Sequence, residues 1–245
     1  MIVEIALVVG AFIVGSIPTS YIAGRLLHGI DVRRFGSGNV GSSNIMQISG
    51  KKLGLSVGIF DAFAKGTTPI ILVRYLYPEP WMMFAVGIAL VAGHNWSIFL
   101  KFTGGRGVAT TIGVVFGLFM WKEILLLTVV MGGMGKVLSK DMSAWTLCAM
   151  ILLPILAWIF NQPLEYVYAS VGMSCVMLLK RLTGNFEKID TKNSSFLLIL
   201  CCRIIWDRDV PDRETWMRRK LGSYSAFTSS LNFVIWDVIV ICFTI

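Results

Sequence analysis

Apolar residues in this chain gather in long blocks separated by short polar breaks. A hydrocarbon core about 30 Å thick takes about 20 residues of helix, because backbone groups in lipid must find their partners within the segment. By that measure seven blocks read as spans, at about 3–27, 53–75, 81–100, 107–121, 123–139, 142–160 and 163–180. The fourth and fifth are short and meet at Trp121, Lys122 and Glu123. Beyond them the pattern changes. An apolar stretch at 196–206 is too short to span and reads as an interfacial segment with Arg203 snorkelling. A charged linker, Asp207 to Lys220, follows, and then a candidate eighth span at 226–245 that contains Asp237. The expected architecture is an all-α polytopic membrane protein. A seven-transmembrane-helix core occupies residues 1–192 and a C-terminal extension occupies 193–245.

Composition removes the soluble alternative: 56% of the 245 residues are hydrophobic, 15% are charged, and the mean hydropathy is +0.74. The net charge of +8 is best read as topology. With the N-terminus placed outside, 19 of the 22 Lys and Arg fall on the inside and only Arg74 and Lys122 fall outside, while Lys65 sits within a span. No basic stripe interleaved with aromatics points to nucleic acid. The five cysteines lie mostly in apolar runs without a CxxC pair, which speaks against zinc or a disulfide framework. The first block carries Glu4 and lacks a basic n-region, so it reads as a span and not as a cleaved signal.

Two glycine-rich stretches carry the candidate chemistry, and the topology puts both on the inner side. The first runs Phe35-Gly36-Ser37-Gly38-Asn39-Val40-Gly41-Ser42-Ser43-Asn44. Glycines alternating with Ser and Asn permit positive φ, so successive amides can face one concavity and hold an anion. A plain turn, with Asn44 capping the next helix, satisfies the same residues. The second stretch contains His94 and Asn95, then Lys101, Gly104, Gly105, Arg106 and Gly107 before an apolar helix. Amides at such a helix start favour an anion, and Arg106 adds fixed charge. Close helix packing at the glycines, with Lys101 and Arg106 meeting headgroups, is the other reading. His94 is a candidate base or a hydrogen-bonded structural residue. Asp61 and Lys65 lie four apart on one helical face and are expected to pair.

Together, Gly15-Ser16-Ile17-Pro18, the first glycine loop with Gly50-Lys51-Lys52, Asp61-x-x-x-Lys65-Gly66, and GHNWSIFLKFTGGRGVAT from Gly93 to Thr110 make the chain resemble the bacterial acyl-phosphate:glycerol-3-phosphate acyltransferases. The likeness is close over about residues 10–115 and looser beyond. It implies seven spans with an outside N-terminus in the bacterial inner membrane and an active site facing the cytoplasm. It also implies an acyl phosphate donor, glycerol 3-phosphate as acceptor, membrane lipid as surroundings, and no cofactor or metal. Carried over by position, Gly36, Ser37, Gly38, Asn39 and Gly41 hold the acyl-phosphate group, with Asn44 beside them. Arg106 binds the acceptor's phosphate where the family usually has Lys, flanked by Lys101, Gly104, Gly105 and Gly107. Ser37, Arg106 and His94 are the candidate catalytic residues.

Two departures qualify the likeness. Gln47 stands where the family commonly places an arginine, in Asn44-Ile45-Met46-Gln47. The family's third motif, of the type H-R-E-N-I, is replaced by a stretch in which only Lys180, Arg181 and Asn185 can serve by chemistry. The expected function is acyl transfer to the 1-hydroxyl of glycerol 3-phosphate in phospholipid synthesis. The alternative is a catalytically impaired paralogue that acts as a phospholipid-binding or regulatory membrane subunit. A transporter fits poorly, since the core has an odd number of spans and no internal repeat.

Overall fold

The computed structural model describes residues 1–134, 141–186 and 195–218. Among them the chain is helical, joined by short loops. The first predicted span is two helices, α1 (Ile2–Ser16) and α2 (Thr19–His28). The break has a simple cause: Pro18 has no N–H to donate, and its ring crowds the preceding turn. The carbonyls left at the break are recaptured, Ser16 O by the Ser97 hydroxyl and Ile17 O by Lys65 Nζ at 2.7 Å. After the first glycine loop comes a short helix, α3 (Ser42–Ser49). A single rod then runs from α4 (Lys51–Phe60) through a π-helical segment (Asp61–Thr67) into α5 (Thr68–Leu76). The wider turn accommodates Pro69, which cannot donate back along an ordinary α-helix. The Thr67 and Thr68 hydroxyls donate to Ala62 O and Phe63 O within it.

Helix α6 (Pro80–Asn95) forms the centre, with α1 on one side and α10 (Leu164–Thr183) on another. The π segment packs on α7 (Val108–Gly117), and α9 (Met142–Ile159) packs on α10. Between α7 and α9 lies α8 (Trp121–Thr128), continued by a second π segment, Val129–Met134. The extension contributes α11 (Phe196–Trp206) and α12 (Arg213–Arg218). Among the described residues, three stretches are long and apolar enough to cross a membrane by length and composition alone: Ile2–His28, Lys51–Leu76 and Met142–Ile159. Large apolar side chains such as Ile2, Leu55, Leu125 and Leu197 face outward, as lipid requires, while Val86, Leu90, Ala169 and Met173 fill the interior.

Small residues set how closely these helices approach, since packing rather than water exclusion holds helices together in lipid. A side chain at Gly15 would strike Leu90 O, one at Gly93 would strike Phe12 O, and one at Gly113 would strike Ala62 O. Gly113→Ala is expected to destabilise the protein by about 1–3 kcal/mol, seen as a lower melting midpoint in detergent. An unchanged midpoint would remove the close-approach account.

Among the described residues helices lie in each of the seven predicted stretches, and three readings, two of spans and one of the interfacial segment, are corrected. The first span is broken at Pro18. The third ends at Asn95, not at residue 100, because residues 97–103 turn back in a Ser97–Thr103 bridge with Lys101 and Phe102 left-handed, at φ 53° and 60°. Arg203 does not snorkel; it is 4% exposed and turns inward. The left-handed Asp207 (φ 57°) reverses the chain and brings Asp209 against it at 2.5 Å. The candidate span at 226–245 lies outside the described residues.

Candidate active site

Beneath the two glycine loops lies a buried polar cluster. Lys65 and Asp61, 2% and 1% exposed, pair at 2.6 Å, as their spacing predicts. Lys65 Nζ also reaches Ile17 O and stands 3.3 Å from His94 Nδ1, while the Thr19 hydroxyl donates to Asp61. His94 is itself buried behind the second loop, and a side chain at position 105 would collide with its ring. This cluster joins the break in the first span, the π segment and the second loop at one point.

The first loop is organised by one side chain. Asn44 is fully buried: its Oδ1 accepts from Ser37 N at 2.9 Å, and its Nδ2 donates to Val32 O, Phe35 O and Asn39 O at 2.9–3.1 Å. Gly38 N donates to Phe35 O, and Asn39 N reaches Ser37 Oγ at 3.4 Å. These amides are therefore spent inside the loop and do not form an open anion cradle. What the loop presents outward are the side chains of Ser37 and Asn39. Upstream, Arg33 closes a two-pronged pair on Asp31, with Nε at 3.0 Å and Nη2 at 2.7 Å, and stacks over Tyr21. Burial alone would raise the Asp31 carboxyl, but the hydrogen bonds and charge of Arg33 outweigh it and hold it below the usual aspartate range. A depressed carboxylate stabilises the fold above its unfolded pKa, and that contribution fades as pH falls through the lower folded value. Loosening of this loop below about pH 4, followed by proteolysis at Arg34, is the expected outcome, and Asp31→Asn should remove the pH dependence.

The second loop likewise uses its amides internally. Gly105 N donates to His94 O, and Gly104 N donates to Asn185 Oδ1 at 3.0 Å. The same Asn185 oxygen accepts from Lys180 Nζ at 2.6 Å, which staples the end of α10 to the loop. Asn185 can turn so because it is left-handed, at φ 60°. Lys180 is fully buried and lies 5.5 Å from the Trp96 ring centre. Arg106 donates through Nη1 to Lys180 O at 3.1 Å and through Nε to Asp207 Oδ2 at 2.8 Å. Arg181 reaches Ile204 O and Ser143 O, tying α10 to α11 and α9.

These groups surround one cleft. Ser37 and Asn39 line it from the first loop, Arg106 from the second, Arg181 and Asn185 from the end of α10. The extension adds Arg203, Asp207, Arg208, Asp209 and Trp216. Four guanidinium groups line it beside two carboxylates, with Arg106, Arg203 and Arg208 paired to Asp207, Asp209 and Asp141, and the free space between them is about 10 Å³. Beside it, an apolar groove of about 280 Å³ runs between α7, α8, α9 and α10. The two are close in the chain: Val108, two residues past Arg106, lines the groove, as does Met177, one helical turn before Arg181.

Of the residues singled out by sequence, Ser37, Asn39, Arg106, Arg181 and Asn185 converge on the cleft. Gly36, Gly38 and Gly41 shape the first loop, Gly36 and Gly38 through positive φ of 60° and 74°. Gly104, Gly105 and Gly107 shape the second. Asn44, Lys180 and His94 are buried supports, whereas Gln47 and Lys101 are exposed and outside the cleft. Sequence reading missed Thr19 and Ser97, whose partners are far along the chain. It also missed Arg203, Asp207, Arg208 and Asp209, whose only local signal was an unusual density of charge after an apolar stretch.

The helical bundle thus carries an arginine-lined cleft and, close to it along α7 and α10, a separate apolar groove, features that suit a membrane protein handling a ligand anionic at one end and apolar at the other. The family model described as Glycerol-3-phosphate acyltransferase matches residues 5–191. Glycerol-3-phosphate acyltransferase 5 of Dehalococcoides mccartyi (strain ATCC BAA-2266) is 36% identical over 89% of this chain and 94% of its own. Glycerol-3-phosphate acyltransferase 4 of the same species (strain CBDB1) is 32% identical over 91% of this chain and 96% of its own. The crystal structure of PlsY, an integral membrane glycerol 3-phosphate acyltransferase in its glycerol 3-phosphate form, superposes with a TM-score of 0.67 at 29% identity. It covers 73% of this chain and 88% of its own. The chain belongs to the glycerol-3-phosphate acyltransferase family and is a membrane acyltransferase of phospholipid synthesis.

Proposed function

We propose that this protein transfers the acyl group of an acyl phosphate to the 1-hydroxyl of glycerol 3-phosphate, giving 1-acylglycerol 3-phosphate and inorganic phosphate. The observation that carries this reading is the pairing of an arginine-lined cleft with an apolar groove whose Val108 and Met177 lie two and four residues from Arg106 and Arg181, which suits a donor with a phosphate head and a hydrocarbon tail. The tail lies along α7 to α10 and the donor's phosphate meets Ser37, while Arg106 takes the phosphate of glycerol 3-phosphate. Seven helices cross the cell membrane with the N-terminus outside, and the cleft faces the cytoplasm. The one-sided distribution of Lys and Arg supports that orientation.

An acyl phosphate is already an activated anhydride, so the protein has to position rather than activate. The 1-hydroxyl oxygen bonds to the acyl carbon, the carbon–oxygen bond to phosphate breaks, and the departing phosphate takes the hydroxyl proton. Holding acceptor and donor together supplies much of the acceleration, and cations near the developing oxyanion supply more. His94 serves through position: it backs Gly105 and, with Lys65, fixes the loop that carries Arg106. The charge missing at Gln47 is replaced from the extension, where Arg203 and Arg208 reach the cleft.

The deciding experiment supplies purified full-length protein with palmitoyl phosphate and labelled glycerol 3-phosphate. Equal release of phosphate and 1-acylglycerol 3-phosphate is expected, with none from palmitoyl-CoA. Folded protein that binds glycerol 3-phosphate without turnover would replace the enzyme reading with that of a binding subunit.

A further inference from the structure

Most polar atoms around the cleft are matched, and two that are not share a chemical character. Asp207 Oδ1 and Asn39 Oδ1 are buried acceptors without a hydrogen-bond partner among the described residues. They approach from different parts of the chain, Asn39 from the first loop and Asp207 from the extension, and both line the cleft. The other oxygen of Asp207 is fixed on Arg106 Nε at 2.8 Å. Its backbone N–H is bound to Arg203 O, so the carboxylate is held at both ends of the residue.

A phosphate group cannot satisfy these two oxygens. At neutral pH it offers acceptors almost exclusively, and an acyl phosphate has no hydroxyl to give. The matching ligand carries an anion for the arginines and O–H donors close to that anion, which is the chemistry of a polyol phosphate. Resting on the acceptor substrate proposed above, we infer that Asp207 is a specificity-determining residue that accepts a hydrogen bond from the 2-hydroxyl of glycerol 3-phosphate. Asn39 takes the same role from the opposite loop. The extension beyond the family model's last matched residue, 191, thus supplies part of the acceptor subsite.

The carboxylate beside Arg106 serves a second purpose. Its negative charge repels a phosphate placed on its own side of the guanidinium, so the acceptor is admitted with its phosphate on the arginines and its hydroxyls toward Asp207.

The test compares kcat/KM for glycerol 3-phosphate with that for 1,3-propanediol monophosphate, which keeps the reacting hydroxyl and lacks the 2-hydroxyl. Full-length wild type, Asp207→Ala and Asp207→Asn are assayed with palmitoyl phosphate. Wild type should prefer glycerol 3-phosphate, and Asp207→Ala should shrink that preference by roughly tenfold or more, the loss expected for a hydrogen bond to a charged group. Asp207→Asn, whose amide oxygen still accepts, should retain a larger share of it. An unchanged preference in both variants, with both substrates slowed alike, would make Asp207 merely structural and overturn the inference. A lower KM for both substrates in both variants would overturn it too, since the carboxylate would then be a competitor for Arg106. If Asp207→Ala does not fold, Asp207→Leu, which likewise has no acceptor, takes its place under the same criterion. Wild type inactive with either acceptor would instead remove the acyl-transfer reading on which the inference stands.

Discussion

Arg106→Ala should lower kcat/KM for glycerol 3-phosphate by about a hundredfold or more while leaving the protein folded. Arg106 is the one cation of the second loop that lines the cleft, and it is only part-exposed, so a phosphate meets it with little competing water. Loss of a single hydrogen bond to a charged group costs about 1.5–3 kcal/mol, which is tenfold to more than a hundredfold. Two further losses compound it. Asp207 would keep its negative charge without its partner, and Lys180 O would lose one of its three donors at the end of α10, keeping Gly184 N and the Thr183 hydroxyl. Arg106→Lys should fall between wild type and alanine, because an ammonium keeps the charge but cannot bridge Lys180 O, Asp207 and a phosphate together. Steady-state kinetics separates the outcomes. A rise in KM with kcat preserved marks a binding role, and unchanged kinetics in the alanine variant would take Arg106 out of the site.

Removing one member of the buried Asp61–Lys65 pair should be the most damaging single change to stability. Lys65→Met leaves a carboxylate 1% exposed with the Thr19 hydroxyl and, at 4.0 Å, the His94 ring beside it but no cation bonded to it, and uncouples Ile17 O from the rod that carries the π segment. Breaking a buried pair in this way costs about 3–5 kcal/mol. The double variant Asp61→Leu/Lys65→Met should be less destabilised than the sum of its single changes, because it leaves no lone buried charge. Thermal unfolding in detergent reads both effects. Additive losses across the cycle would mean that the two side chains do not depend on each other.

What could be read from the chain, and what could not, follows the range of the forces involved. Helix positions were legible because lipid forces apolar residues into blocks, and the Asp61–Lys65 pair was legible because four residues place two side chains on one helical face. The convergence of Ser37, Asn39 and Arg106 also followed, since their loops were assigned to one membrane side. The break at Pro18 was visible as a proline but hidden in its effect, because the partners that stabilise it, Lys65 and Ser97, come from other helices. Glycine amides were misjudged for a related reason. Composition shows that a loop can expose its N–H groups, but not that Asn44 and Asn185 will claim them or their neighbours. For the inward turn of Arg203 and the arrival of Asp207 at Arg106, the charge density after the apolar stretch shows that ions are present but not which partners they meet.

The Arg106–Asp207 contact joins residues 101 apart in sequence. During synthesis the guanidinium is made long before its carboxylate, and every helix from α7 to α10 is in place before the partner leaves the ribosome. A chain that stalls after α10 has the apolar helices that membrane insertion recognises, yet lacks the segment that finishes the cleft. The cleft, unlike the groove beside it, is thus closed only by residues made after the last helix of the bundle.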